Sequence, residues 1–191
     1  NACMKRIVAA PTAGACGVLP AVLVPYFQKR CRNTDKILKA MYVAAGIGQI
    51  IATRSFISGA AGGCQAEIGS ASSMAAGALT YLQGGNCEQI ATAAAMAMKN
   101  LLGLVCDPVA GLGEVPCVKR NVIGTVNAMA CADMAMAGIV SRIPPDQVMD
   151  AMKEVGDKMD ASLRETALGG LARTEEGVKI AEKMHASQEN W

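Results

Sequence analysis

An all-α fold is what this sequence predicts, on three observations. Apolar residues recur at three- and four-residue intervals through most of the chain, as they do in helices that bury one face. No stretch combines strict polar–apolar alternation with β-branched residues over a useful length, so no strand is expected. The apolar content, 52% of 191 residues, is mostly Ala, Met, Val, Ile and Leu, with two Phe, three Tyr and one Trp. Such small side chains, with twenty Gly, suit helices and loops that approach one another closely. A chain of this length and apolarity is expected to form one compact domain over residues 1–191.

The elements follow in order. Asn33, Thr34 and Asp35 offer N-caps to a helix running through Ile37, Met41, Ala44, Ala45 and Gly48 to about Arg54. Asn86 and Glu88 open a second helical segment over Gln89 to Leu102, and Val122 to Val140 is a third, with Asp133 inside it. Pro144, Pro145 and Asp146 start a helix over Gln147 to Met159, with proline in its first turn and an acid at its positive end. The last helix runs from Glu175 to about His185. The Met-rich runs, Met96 and Met98 and then Met129, Met134 and Met136, read as core filler. Between these helices lie Gly- and Pro-rich connections, residues 10–17, 59–69, 106–121 and 168–170. They are more elaborate than helix connectors require, and loops on a helical scaffold are where chemistry is usually placed.

Charge and composition exclude several roles. The net charge is +2, with Lys and Arg spread along the chain, so no phosphate-tracking surface is indicated, and the few aromatics offer no platform for bases. Nucleic acid is therefore not an expected partner. The uncharged stretches Ile7 to Gln28 and Ile68 to Cys87 have the length of membrane spans. The first is broken by Pro11, Pro20 and Pro25, and the second carries Ser70, Ser72, Ser73, Thr80, Gln83 and Asn86, so both are read as buried segments of a protein outside the membrane. Lys5 and Arg6 before an apolar run imitate a secretory leader, but Pro11 and Gly14 interrupt it. Eight Cys in a chain with a rich core point to a reducing cytoplasm with thiols buried or on metal, not to a disulfide framework.

Cys16, Cys87 and Cys131 lie among small residues or beside a helix cap and read as buried hydrophobes; Cys3 and Cys31 lie near basic residues, where exposure or mild activation is open. Cys64, Cys106 and Cys117 differ by context, each beside Gly or Pro where a helix is expected to meet a turn. Helix ends and free backbone N–H groups there would stabilise a thiolate. Their separations of 42 and 11 positions fit neither a zinc ribbon nor a ferredoxin pattern, so spacing alone does not name a metal.

Four segments, IVAAPTAGACGVLPAVL (7–23), GCQAEIGSASSMAA (63–76), CDPVAGLGEVPCVKRN (106–121) and ETALGGLA (165–172), resemble the alpha chain of bacterial iron-sulfur L-serine dehydratases. The likeness covers essentially the whole chain. It implies a catalytic alpha domain in which Cys64, Cys106 and Cys117 bind a 4Fe-4S cluster, with one iron left open as a Lewis acid for L-serine. Dehydration of serine by α,β-elimination would then yield pyruvate and ammonia without pyridoxal phosphate, in amino-acid degradation and gluconeogenesis. A beta domain or beta chain, and homo- or hetero-oligomers, are the partners implied. Two departures are visible: an amino-terminal portion of the family carrying Ser-Gly-Leu-Thr-Gly-Gly is not in this sequence, so the fragment alone is expected to be inactive, and residues 187–191 lack the terminal Cys with which some single-chain relatives cap the cluster.

For the substrate carboxylate the candidates are Lys119, Arg120 and Asn121, just after the third cysteine, and Thr12 and Gly14 in the first Gly-rich loop, each set against a structural role as helix start or tight turn. Glu67 and Asp107 lie beside the cysteines and read equally as caps or as groups that orient the ligands. No catalytic base is assigned; His185, the single histidine, reads as a solvated residue. Three rivals stay open: an L-cysteine desulfidase of the related family, a non-enzymatic module in which the cysteines hold zinc or a cluster structurally, and a helical membrane module.

Overall fold

The computed structural model describes residue 6 and residues 8–111 and 116–188. The reading of Cys3 lies outside these residues, as do Gly113 and Glu114 of the third segment and the end of the chain from Glu189. Among the described residues there are eight helices: α1 (Val18–Lys29), α2 (Thr34–Arg54), the single turn α3 (Gly59–Gly62), α4 (Cys64–Leu82), α5 (Cys87–Lys99), α6 (Cys117–Met136), α7 (Pro145–Lys158) and α8 (Glu175–Gln188). Short 3-10 turns occupy Val109–Gly111, Ala161–Leu163 and Gly170–Arg173. Among the described residues there is no strand, only an isolated bridge between Cys106 and Arg164.

α4 is the axis of the fold, and α1, α2, α5, α6 and α7 pack around it. Its sequence explains why: it has no polar face, and a helix made of Ala, Gly, Ser and Met on every side can be covered on every side. Every residue from Cys64 to Thr80 is buried. Three of the buried hydroxyls are satisfied by backbone: Ser72 donates to Gly124 O at 2.8 Å, Ser73 to Ala94 O at 2.9 Å and Thr80 to Ala76 O at 2.8 Å, whereas Ser70 Oγ is buried without a partner among the described residues. The core is continuous from α1 through α4 to α6, and a second cluster of Ile51, Ala95, Met98, Val148, Met149 and Met152 joins α2, α5 and α7. Among the described residues no helix is long and apolar enough to cross a membrane.

The capping chemistry places two helices as the sequence does. Asn33 accepts from Lys36 N at 3.1 Å at the start of α2, and Asn86 and Gln89 exchange side-chain and backbone bonds in a capping box at the start of α5. Other boundaries differ. α1 occupies part of the proline-broken stretch, because Pro20 sits in its first turn where no N–H is needed, although Pro25 is internal. α6 begins at Cys117 and α4 at Cys64, so much of what reads as loop around these two cysteines is helix. Met96 and Met98 are buried as expected, whereas Met129 is 48% exposed, on an outward apolar stripe of α6 with Val118, Val122 and Val126.

Close approach of α4 and α6 depends on Gly124. A Cβ there would lie 2.9 Å from Ile68 Cγ2 and 3.2 Å from Val18 Cγ2. Both are branch methyls on stiff side chains, so the neighbours cannot swing aside. Gly124→Ala is expected to cost about 1–3 kcal/mol of overpacking, only partly offset by the roughly 1 kcal/mol gain in helix propensity. Thermal unfolding should show a lower Tm; an unchanged or raised Tm would mean the helices separate freely.

Candidate metal centre

The three cysteines far apart in sequence meet in space. Cys64, Cys106 and Cys117 are all buried, and their sulfurs lie within 4.8 Å of one another. Among the described residues no further His, Cys, Asp or Glu joins the set. Each sulfur is delivered by a different device. Cys64 is the first residue of α4, placed by Gly63, whose φ of +76° favours glycine and whose Cβ, if present, would strike Met159 Sδ at 2.6 Å and Leu104 O at 2.9 Å. Gln65 locks the same helix end: its N–H donates to Leu104 O at 2.8 Å, its Nε2 to Met152 O at 3.0 Å, and its Oε1 accepts from Gly103 N at 2.9 Å.

Cys117 opens α6. Cys106 is not at a helix end, which corrects the expectation for this thiol. It lies in extended backbone, donating to Leu163 O at 2.8 Å and accepting from Glu165 N at 2.7 Å. A strap of residues 160–170 thus pins the middle cysteine, and it contains two non-glycine residues at positive φ, Glu165 (63°) and Ala167 (56°). Such backbone costs about 1–3 kcal/mol per residue and persists where the surroundings enforce it.

The thiols share their protons. Hydrogen bonds from Cys106 and Cys64, with the nearby charge of Arg120, pull the Cys117 thiol down to about 3 against its burial. Cys64, lowered by its bond with Cys106, is nevertheless pushed up to about 12 by its bond with Cys117 and by burial. Cys106 is raised, first by its bonds to the other two sulfurs and then by burial. The three thiols titrate as one set, in which a single negative charge is shared. Cys131, buried on α6 outside the set, is pushed up to about 11 by burial and stays a neutral thiol, while Cys87 is exposed and Cys16 and Cys31 are partly exposed.

The other site candidates fall into three places. Arg120 is committed inside the fold: its Nη2 donates to Asp107 Oδ1 at 2.9 Å, and its Nη1 to Val105 O at 2.8 Å and to Cys64 Sγ at 3.5 Å. Asn121 ties the first Gly-rich loop to α6, accepting from Gly17 N at 3.0 Å and donating to Gly14 O at 2.7 Å and Cys117 O at 2.9 Å. Lys119 is exposed. Thr12 donates its hydroxyl to Glu67 Oε1, which brings the first loop to the start of α4. His185 is exposed on α8.

Asp107 and Glu165 are the residues sequence reasoning undervalued. Besides Arg120, Asp107 accepts from Leu171 N at 2.8 Å. Gly170, at φ +59°, carries the strap past it, with room for no Cβ, since one would lie 2.5 Å from Asp107 Oδ2. The paired glycines of the 165–172 segment were the available signal.

A family model for the serine dehydratase alpha chain matches residues 1–172. Over 180 residues the chain is 53% identical to a probable L-serine dehydratase alpha chain of Latilactobacillus sakei, covering 94% of this chain and 86% of that one. It is 53% identical over 184 residues to a probable L-serine dehydratase alpha chain of Bacillus subtilis (strain 168), covering 96% and 61%, and 46% identical over 174 residues to L-serine dehydratase 1 of Escherichia coli (strain K12), covering 90% and 38%. The chain thus spans less than two thirds of the latter two relatives. The matched residues include all three cysteines, the Thr12 loop and the Glu165–Gly170 strap, the parts that build the thiol centre, and on that likeness the chain belongs to the serine dehydratase alpha chain family.

Proposed function

We propose that this chain forms the thiol centre of an enzyme that deaminates L-serine to pyruvate and ammonia by dehydration, with Cys64, Cys106 and Cys117 holding a 4Fe-4S cluster. The observation that carries this reading is the convergence of three buried sulfurs with no fourth protein ligand beside them among the described residues. Soft thiolates favour iron-sulfur or zinc centres, and a structural zinc site is normally closed by four protein ligands. Three ligands leave a position for substrate. A bound cluster would supply a Lewis acid at that position, easing departure of the serine hydroxyl.

The chain's own residues then have definable tasks. The Cys117 thiol is pulled down by its bonds with Cys106 and Cys64, which favours a thiolate ligand, and Arg120 beside Cys64 would offset the negative charge that three thiolates bring into a buried site. Thr12, Gly14, Asn121 and Lys119 lie on the first loop and on α6 at this side of the fold, and of these Lys119 keeps an exposed cation for the substrate carboxylate. The outward apolar stripe Val118, Val122, Val126 and Met129 on α6 supports association with a beta domain or beta chain.

The test is anaerobic purification of the full-length enzyme that contains this chain. About four iron and four sulfide per chain are expected for one such cluster, with pyruvate released from L-serine. Colourless protein with a single zinc would overturn the cluster, and faster turnover of L-cysteine with sulfide release would replace dehydration by desulfidation.

A further inference from the structure

In the same helical turn as Cys64 lies an acid outside the three-thiol set. Glu67, in the first turn of α4, is 8% exposed, and its Oε1 accepts the Thr12 hydroxyl. Gly14 rests directly on its carboxyl group: a Cβ at Gly14 would lie 2.6 Å from Oε1 and 2.9 Å from Oε2. An acid buried to this degree is normally paired with a cation. Among the described residues Glu67 has no ion pair, and the buried cation nearby, Arg120, is held by Asp107. Burial pushes the Glu67 carboxyl above the usual range; the Thr12 hydroxyl opposes this, and the charges of Cys117 and Glu165 add to the rise. Along α4, Glu67 follows Cys64 by three positions, within the same first turn.

Glu165 reaches the same place from the strap. Its Oε2 lies 3.4 Å from the point where a Gly59 Cβ would be, and that point is 2.9 Å from Cys106 Sγ. Glu165 is exposed and has no ion pair among the described residues. It has a positive φ of 63° and its N–H is bonded to Cys106 O at 2.7 Å, a backbone conformation that a non-glycine residue keeps only where the surroundings hold it. Two acids thus flank the sulfurs, one buried and one at the rim. A role for Glu67 in the helix dipole alone would need neither burial nor the close cover of Thr12 and Gly14.

We propose that Glu67, with Glu165 at the rim, forms the anionic subsite that receives the α-ammonium group of an amino-acid substrate and so selects amino acids over hydroxy acids that lack it. The hydroxyl and ammonium of serine sit on adjacent carbons, so an ammonium subsite must adjoin the reacting centre; Glu67 shares the first turn of α4 with Cys64, and Glu165 is bonded through its N–H to Cys106 O. Serine binding would give Glu67 the cation it lacks. The proposal rests on the reading of the thiol centre as a serine site.

The test uses the anaerobically purified full-length enzyme and direct binding of two partial substrates by equilibrium dialysis. L-Alanine keeps the ammonium and lacks the hydroxyl; 3-hydroxypropanoate keeps the hydroxyl and lacks the ammonium. Glu67→Gln is expected to weaken L-alanine about ten- to a hundredfold, as loss of a charged hydrogen bond does, and to leave 3-hydroxypropanoate unchanged or tighter. Glu165→Gln should act in the same direction and less strongly. Iron content and circular dichroism matching the wild type establish that the variants fold; should Glu67→Gln misfold, Glu67→Asp and Glu165→Gln carry the same comparison. Equal weakening of both ligands, or no change for L-alanine, overturns the subsite while leaving the serine reading intact. A wild-type enzyme that binds neither ligand and releases no pyruvate from serine overturns both.

Discussion

Replacing Cys117 by Ala in the full-length enzyme is expected to remove both bound iron and serine turnover, with kcat/KM falling about a thousandfold or more. Lewis-acid stabilisation is worth several kcal/mol, and each 1.36 kcal/mol is a factor of ten in rate. Cys117 serves as the test because its sulfur lies within 4.8 Å of the other two and its thiol is pulled down, first by its bonds with Cys106 and Cys64 and also by Arg120. Without it, Cys64 and Cys106 lose the acceptor that organises them and face burial as neutral thiols. Cys131→Ala is the control: Cys131 is equally buried on the same helix but stands outside the set, so its loss should leave iron content and turnover at the wild-type level. Iron analysis and pyruvate release on the two variants check this. A Cys117→Ala enzyme that keeps its iron and its turnover would remove the thiol centre from the reaction.

The contrast between those two cysteines also shows how far the sequence could be read. Helices with a polar face and a polar cap were legible, because Asn33 and the Asn86–Gln89 pair announce their ends locally. α4 was not, because its buried surface runs all the way round and leaves no amphipathic period to find. The choice of Cys64, Cys106 and Cys117 among eight depended on the likeness of whole segments, since separations of 42 and 11 residues carry no geometry of their own. What brings the three together is long-range: Gln65 bonding to Met152 and Gly103, and Cys106 bridging to the strap at Leu163 and Glu165. Neither pairing has a local signature. The same holds for Arg120, which looks from sequence like a free cation near the centre and proves to be folded into it.

That buried cation gives the largest expected loss of stability. Arg120 and Asp107 pair at 2.9 Å with side chains only 15% and 4% exposed. Arg120→Met would leave the Asp107 carboxylate buried with Leu171 N as its remaining described partner, and breaking a pair of this kind from one side costs about 3–5 kcal/mol. Against a total stability of roughly 5–15 kcal/mol, the variant should unfold at a much lower denaturant midpoint. The cost belongs to the stranded charge, so Asp107→Asn should relieve it: the amide oxygen can still accept from Leu171, and Arg120→Met in that background is expected to cost clearly less. Arg120→Lys should fall between, because an ammonium keeps the charge but places all its donors on one nitrogen, whereas the planar guanidinium reaches Val105 O and Cys64 Sγ from Nη1 and Asp107 from Nη2. A double-mutant cycle by denaturant unfolding measures the coupling. Equal costs for Arg120→Met in both backgrounds would show that Arg120 acts by packing alone. The same residue spans both levels of the protein: from α6 it bonds to the Val105–Asp107 segment and to Cys64 of α4, and these three elements supply one sulfur each.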